Sequence, residues 1–428
     1  MRPACRRMFA LDASVMAPVS QEIHPTVPPQ PKIEEKLLSN GTKVVTRDAR
    51  VENVTIKVAV NCGSRHELAH EKGAAHLLSV AAFAGTQNKH GLSLMREIEN
   101  HGFSVGVSAD REKTVYSIKS VPEFASDAAA ILTEVITSPP KHTYHIKERI
   151  PTALYDYELR KSSPRVALTE MLYEAAYGEG TPMGSSCYAT NISSLSMDDV
   201  MAFRNRHFNA SNMTITADGL SLQELELIGF SLGVEGSKSS ADSSYVGGVV
   251  RRAADFNGEI HASLAFPAAT GAKGKAFAVL QTILESRLSA KTVGQGKGCW
   301  KSFHVQNSDS GLVGCYMATT TKQHTEDLLA LTINELKEIA TKVDATAAKN
   351  KLSLRNACAL EGGDSAASLL LSATYQGMPV SQFINFSSVT NEEVSAAAAA
   401  VLKSTPAYAV LGNTFGVQPY DAVRNMLH

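Results

Sequence analysis

The amino-acid sequence predicts an α/β (α+β) chain made of two homologous halves, each a mixed β-sheet covered by helices. Three observations lead there. From Leu37 onward, β-like and helical segments alternate. After a serine- and glycine-rich stretch at 233–248, the same order of segments starts again. Two helix starts also match in character, Ile192-Ser193-Ser194-Leu195-Ser196-Met197-Asp198-Asp199-Val200 and Phe386-Ser387-Ser388-Val389-Thr390-Asn391-Glu392-Glu393-Val394. Each has an apolar residue before a hydroxyl N-cap and a carboxylate three residues further on, which satisfies free amides and suits the helix dipole.

In order, the expected parts are a lead segment at 1–36, a first domain at 37–232, a linker at 233–248 and a second domain at 249–428. The first residues carry Arg2, Arg6 and Arg7 with no acid before Asp12, and Ala4, Met8 and Leu11 share one helical side. That is the composition of a mitochondrial import segment, with a short basic tail as the alternative. A proline-rich run at 25–31 comes next, extended and without a core. Residues 54–60 (V-T-I-K-V-A-V) alternate in the manner of a half-buried strand. Segments 73–83 and 92–102 read as helices, and 103–109 with 114–119 as paired strands. Segment 124–136 reads as a helix ended by Ser138-Pro139-Pro140, and 213–217 as a closing strand. Past the linker come a strand at 259–266, a helix at 275–288, a strand at 311–318, a helix at 326–339 and a closing strand at 408–411.

A chain of 428 residues is longer than one ordinary core, and a 44% hydrophobic share with 19% charged residues leaves a substantial core to bury. A net charge of -1 gives no support for nucleic-acid binding. No apolar run approaches the roughly 18 residues of a membrane span. The alanine-rich tract at 396–402 is too short and Lys403 closes it. The six cysteines are scattered, with no C-x-x-C pair, as expected of reduced thiols rather than a disulfide framework.

The most informative segment runs from Gly73 to Thr86. An inverted zinc motif, H-x-x-E-H, sets two histidines on one helical face with a glutamate as general base. Here His76 holds the first position, Ser79 stands where the base belongs, and Val80 stands where the second ligand belongs. A serine hydroxyl takes no proton from water at neutral pH, and valine has no donor atom. His76 therefore reads as a histidine packed on its helix, hydrogen-bonded and not metal-bound. A rival pattern lies just upstream, where His66-Glu67-Leu68-Ala69-His70 spells the H-E-x-x-H of ordinary zinc peptidases. Gly63 and Gly73 bracket it, there is no apolar stripe to dock a helix, and nothing orients Glu71, Glu97 or Glu99 as a third ligand. It reads as a polar loop with histidines in water.

Gly294-Gln295-Gly296-Lys297-Gly298 is a glycine-rich stretch without the G-K-[ST] of a phosphate loop, because Cys299 follows Gly298. Gly294, Gly296, Lys297 and Gly298 form either a peptide-holding loop or, the favoured reading, a surface connection. Trp300, the only tryptophan, is a packing anchor or an interface anchor. Ser308-Asp309-Ser310-Gly311 is not a nucleophile elbow and reads as the turn into a strand.

Several of these residues resemble the pitrilysin-type inverted-zinc peptidases and their inactive mitochondrial relatives. They are Ser39-Asn40-Gly41, Cys62-Gly63-Ser64-Arg65-His66-Glu67, the segment 73–86, Glu148-Arg149, Ser194-Leu195-Ser196 and 308–314. The resemblance covers nearly everything from Leu37 to the C-terminus. It places Arg65–Lys72 in a loop, and its third zinc ligand, counted from Glu148-Arg149, falls at or near Tyr155, with Asp156 and Glu158 nearby. It also aligns the glycine-rich stretch with the presequence-holding loop of a processing-peptidase α subunit. With Ser79 and Val80 in place, the resemblance implies an inactive member with no metal. Within the mitochondrial branch it implies a peripheral, matrix-side subunit of the inner membrane's dimeric complex III, paired with core protein 1 and supporting the other complex III subunits. It further implies that this chain binds no cofactor, the haems and iron–sulfur cluster belonging to partner subunits.

Overall fold

The computed structural model describes residues 31–427 except 141, 189–191, 193–194, 234, 239–242 and 294–297. The Arg-rich start, most of the proline-rich run, Ser193, Ser194, Gly294, Gly296 and Lys297 lie outside the described residues.

The first half runs β1 (Lys32–Leu37), β2 (Lys43–Asp48), β3 (Val54–Val60), α1 (Ala74–Val80), α2 (Gly91–Asn100), β4 (Ser104–Ala109), β5 (Thr114–Ser120) and α3 (Ala125–Thr137). It continues with α4 (Tyr144–Lys147), α5 (Ile150–Ser162), α6 (Pro164–Tyr177), α7 (Met197–His207), β6 (Met213–Asp218) and α8 (Leu222–Ser231). The second half runs β7 (Gly248–Ala253), β8 (Ile260–Ala268), α9 (Gly271–Val293), β9 (Cys299–Gln306), β10 (Gly311–Thr319) and α10 (Lys322–Thr341). It ends with α11 (Thr346–Glu361), α12 (Gly363–Tyr375), α13 (Val380–Ile384), α14 (Asn391–Lys403), β11 (Ala407–Gly412) and α15 (Tyr420–Leu427).

The two sheets carry the duplication in their topology. The first has the order β1-β2-β6-β3-β5-β4 and the second β7-β11-β8-β10-β9. Leaving out the edge strand β1, the orders superimpose strand for strand. Each sheet has one parallel pair at the same place, β2 with β6 and β7 with β11, and is otherwise antiparallel. The matched helix starts correspond to α7 and α14. Thr390 and Glu393 form the full reciprocal capping box on α14, whereas Ser196 of α7 accepts the Asp198 amide.

The expected half-buried strand at 54–60 is buried at all seven positions. β3 lies between β6 and β5, and a helix from the other half covers its second face. Lys57, the one charged residue in it, reaches Ser368 Oγ at 2.6 Å and Asp364 Oδ1 at 3.0 Å on α12. Next to it, Thr216 on β6 donates to the Ala367 carbonyl at 3.1 Å, and Leu369, Leu370 and Ala373 pack on Val45.

The reciprocal arrangement holds at the second sheet. Leu168, Met171, Leu172, Ala175 and Ala176 of α6 bury against Ala265, Leu312, Ala407, Ala409 and Leu411. Each half thus lends one helix to the other's sheet. The alanines of β11 keep that sheet face shallow enough for α6 to lie close. Each buried leucine adds about 1.5–3 kcal/mol relative to leaving it in water. The remaining faces carry the separate main cores, one per half. Trp300 anchors the second, buried with its indole N–H on Thr332 Oγ1 at 3.0 Å, so it is a packing residue.

Candidate functional site

The segment after β3 is built around two glycines. A Cβ on Gly63 would lie 2.2 Å from the Arg111 carbonyl, so only glycine lets the chain pass the β4–β5 turn there. Gly73 begins α1 at φ 98°, in the left-handed region. Between them Ser64–His66 makes a single 3-10 turn and the backbone is extended at Glu67. The regular helix that H-E-x-x-H requires is therefore missing. Glu67 instead accepts the amides of Gly73 at 3.0 Å and Ala75 at 2.8 Å, capping α1 from outside it. Burial pushes its carboxyl up to about 7.

The two histidines of that pattern go separate ways, and only one of them stands in water. His70 is exposed, whereas His66 is half-buried with its ring 5.5 Å from that of His207. Burial, with neighbouring positive groups, pushes His66 and His207 down to about 4. Glu71 is buried and spoken for by Arg206 and the Leu68 amide, and Glu97 pairs with Lys89 at 2.8 Å. Glu99 is exposed.

His76 is buried on α1, and its Nε2 lies 2.9 Å from Asp156 Oδ2 on α5. An ionised carboxylate only accepts, so Nε2 carries the proton. The same oxygen accepts Arg160 Nε at 2.7 Å, one helical turn along α5. Arg160 Nη1 reaches the Tyr188 hydroxyl at 3.3 Å, and the Tyr188 ring meets His76 edge-on, centroids 5.6 Å apart. Burial holds the His76 pKa below its ordinary value, although Asp156 acts the other way. For Asp156, burial pulls upward, but the hydrogen bonds from His76 and Arg160 outweigh it and keep the carboxyl below its usual range.

The side chains at the other expected positions make ordinary protein contacts or stand in solvent. Ser79 Oγ donates back to the His76 carbonyl at 2.7 Å, and Val80 packs against the first core. Tyr155 is 69% exposed. The carboxylate that meets His76 is Asp156, one place further on and about 100° round the helix. Gly298 is exposed at φ 120° and begins the approach to β9.

The fold's family implies zinc, and these residues do not fit it. A tetrahedral site takes three or four donors, while His76 meets one carboxylate whose near oxygen already holds a guanidinium. A divalent cation there would face Arg160 directly. Among the described residues no three of His, Cys, Asp and Glu converge as a metal would need. What the network does is join α1 to α5 by charge-assisted hydrogen bonds.

A second polar cluster joins the halves. Arg65 is buried, pairs with Glu112, and reaches Asp309 Oδ2 at 2.8 Å. Glu112 in turn accepts the Ser308 amide at 3.0 Å and its hydroxyl at 2.7 Å. The turn expected at Ser308–Gly311 closes through the Asn307 amide on the Ser310 carbonyl at 2.8 Å, and it doubles as this latch. Sequence reasoning missed Arg160, Tyr188 and the latch. Only the Asp156/Arg160 spacing on a helix carried a signal for any of them.

Comparison with known proteins now decides the lineage. Residues 43–191 match the family described as insulinase (peptidase family M16), and 194–351 match the peptidase M16 inactive domain. The chain belongs to peptidase family M16. Its two α/β halves with mixed sheets are the architecture expected of that family. A probable mitochondrial-processing peptidase subunit beta of Schizosaccharomyces pombe is 25% identical over 93% of this chain and 95% of its own length. The human cytochrome b-c1 complex subunit 2 is 27% identical over 90% of this chain and 91% of its own. The mitochondrial-processing peptidase subunit alpha of Pongo abelii is 23% identical over 99% of this chain and 92% of its own. Both kinds of subunit are thus homologues of this M16 chain. No helix among the described residues is long and apolar enough to cross a membrane.

Proposed function

We propose that this M16 chain is a non-catalytic subunit, core protein 2, of the mitochondrial ubiquinol–cytochrome c reductase. In this reading it sits peripherally on the matrix side of the inner membrane, pairs with core protein 1, and supports assembly of the subunits that carry electrons. The observation that carries the reading is the closure of the ancestral zinc position by Asp156 and Arg160 around His76. A subunit kept for its surfaces can replace a metal with a charge pair that holds the same two helices. The likeness to the human b-c1 subunit over nine-tenths of both chains supports the same reading. Residues 1–36 then act as the import segment and lead-in, and 233–248 as the linker between domains.

The test is native electrophoresis of mitochondrial membranes, followed by mass spectrometry of the band that holds this chain. Co-migration with a haem-containing complex is the expected result. Migration with a small soluble heterodimer would replace this reading with a second one, the α subunit of a processing peptidase. The relatives of that kind and the glycine-rich stretch ending at Gly298 favour this alternative. Its own check is deletion of 294–298, which would abolish presequence cleavage by a reconstituted partner. Metal analysis addresses both readings: stoichiometric zinc lost in His70→Ala, together with peptidase activity, would defeat them.

A further inference from the structure

A cavity of about 410 Å³ opens where the halves meet, between the β4–β5 turn, α6, the end of β9 and the last turn of α12. Most of its charges are already matched. Arg111 pairs with Glu170 at 2.9 Å, donates to the Met183 carbonyl at 3.1 Å and stacks 3.9 Å from the Tyr173 ring centroid. Glu112 belongs to the latch with Arg65 and Ser308. What remains in the lining is Lys113 and Arg165 against Asp110, an excess of one positive charge.

Lys113 holds its ammonium 4.1 Å from the centre of the Tyr375 ring and has no ion pair among the described residues. Burial keeps its pKa below that of an ordinary lysine, as for a cation short of a counter-ion, although Asp110 and Glu112 act the other way. Beside it, Tyr375 Oη and Gln376 Oε1 are buried with no hydrogen-bond partner among the described residues. A hydroxyl donor, a cation and a lone amide acceptor thus line the same cavity; among the described residues the two oxygens have no hydrogen-bond partner, and the cation has a ring face but no ion pair. Native structures rarely leave such atoms unanswered.

We propose that this cavity binds a carboxylate that carries an N–H on the next carbon, with Lys113 and Tyr375 taking the carboxylate and Gln376 Oε1 taking the N–H. Two sources share that chemistry: an N-acyl amino acid and the C-terminal residue of a peptide. The inference stands apart from the proposed function, because it rests only on this lining.

Calorimetric titration of the purified chain tests it with three probes: N-acetylalanine, acetyl-trialanine with a free C-terminus, and the same tripeptide with a C-terminal amide. We expect at least one free acid to bind, and the amide to bind at least about tenfold more weakly. N-acetylalanine binding as well as the tripeptide assigns the site to small acids; tripeptide binding alone assigns it to peptide ends. Lys113→Met is expected to weaken the free acid about tenfold, and Gln376→Leu about threefold. The acid-against-amide comparison needs no variant, so it stands even if Lys113→Met fails to fold. Equal binding of acid and amide, unchanged affinity in a folded Lys113→Met, or no binding of either acid overturns the proposal.

Discussion

The two halves have sheets of one plan and differ in the segment that leaves the first long strand. In the second half, β8 leads into a continuous helix, α9, of 23 residues. In the first half the same place holds a 3-10 turn, the short α1, a reversal at Gly85 and then α2. α9 is held by apolar side chains such as Leu280 and Leu284, and by polar side chains of its own that reach outward: Lys275 to the Gln382 and Asn385 carbonyls, Gln281 to Ser302, and Arg287 and Lys291 to Glu335. The broken segment is held by polar groups arriving from outside it: Glu67 on the α1 amides, Asp156 on His76, Glu134 on Thr86. Apart from the extra edge strand β1, the sheets stayed alike after duplication, while this segment, where an active relative would build its site, diverged.

That contrast is open to measurement. The largest effect is expected from Arg65→Met, which strips a buried guanidinium from Glu112 and Asp309 and should lower stability by about 3–5 kcal/mol in urea unfolding. A loss below about 1 kcal/mol, the size of an exposed pair, would break the picture of a polar-held first half. In the second half, Leu280→Ala should cost about 3 kcal/mol by leaving a cavity under α9. An effect much below that would mean α9 is not held by its apolar face.

A smaller effect, about 1 kcal/mol, is expected for Asp156→Asn, which keeps the shape but removes the charge that His76 and Arg160 share. Proton NMR titration supplies a second readout. Asp156 raises the His76 pKa, so its loss should move that pKa further down. An unmoved His76 would sink the network.

How much of the fold and the site is legible in the sequence depends on where each signal lies. Strands and most helices are readable because their apolar spacing is local. The alternation in β3 misleads because the cover on its second face comes from α12, some 300 residues later in the chain. α9 runs beyond the 275–288 that spacing suggests, since residues 271–274 add a turn whose weak local preference tertiary packing overrides. Ser79 and Val80 announce a lost metal motif, but no local pattern says that Asp156 and not Tyr155 will meet His76. One residue along a helix changes the direction of a side chain by a quarter turn or more. The latch is invisible for the same reason as the β3 cover: Arg65 and Asp309 meet only through the fold.

The remaining expected effect is a difference in pH dependence between the halves. His66 and His207 sit at about 4 when folded against an ordinary 6.5, so the fold binds fewer protons than the unfolded chain between those values. Their contribution is therefore complete above 6.5 and is lost as pH falls toward 4. Glu67, raised to about 7, has the opposite sign, with stability lost as pH rises through 7. Among the described residues of the second half, only His304 is pushed to about 4 in this way, by burial beside Phe277. Replacing both His66 and His207 by Gln should flatten the acid limb of the stability curve more than His304→Gln does. Equal flattening would show that the halves do not differ in this respect.

The exchange of α6 and α12 has a consequence for how the chain comes into being. A polypeptide leaving the ribosome or threading through a membrane pore presents its N-terminal portion first. When Ser231 has emerged, every strand of the first sheet is available, yet the outer side of Val45 and β3 has no cover until Tyr375 arrives. Nor can α6 bury its leucines before β11 exists, near the very end of the chain. The nascent protein must therefore carry two greasy, unfinished surfaces, one until α12 has emerged and one until β11 has. Holdase chaperones should bind it most tightly when truncated just short of residue 363.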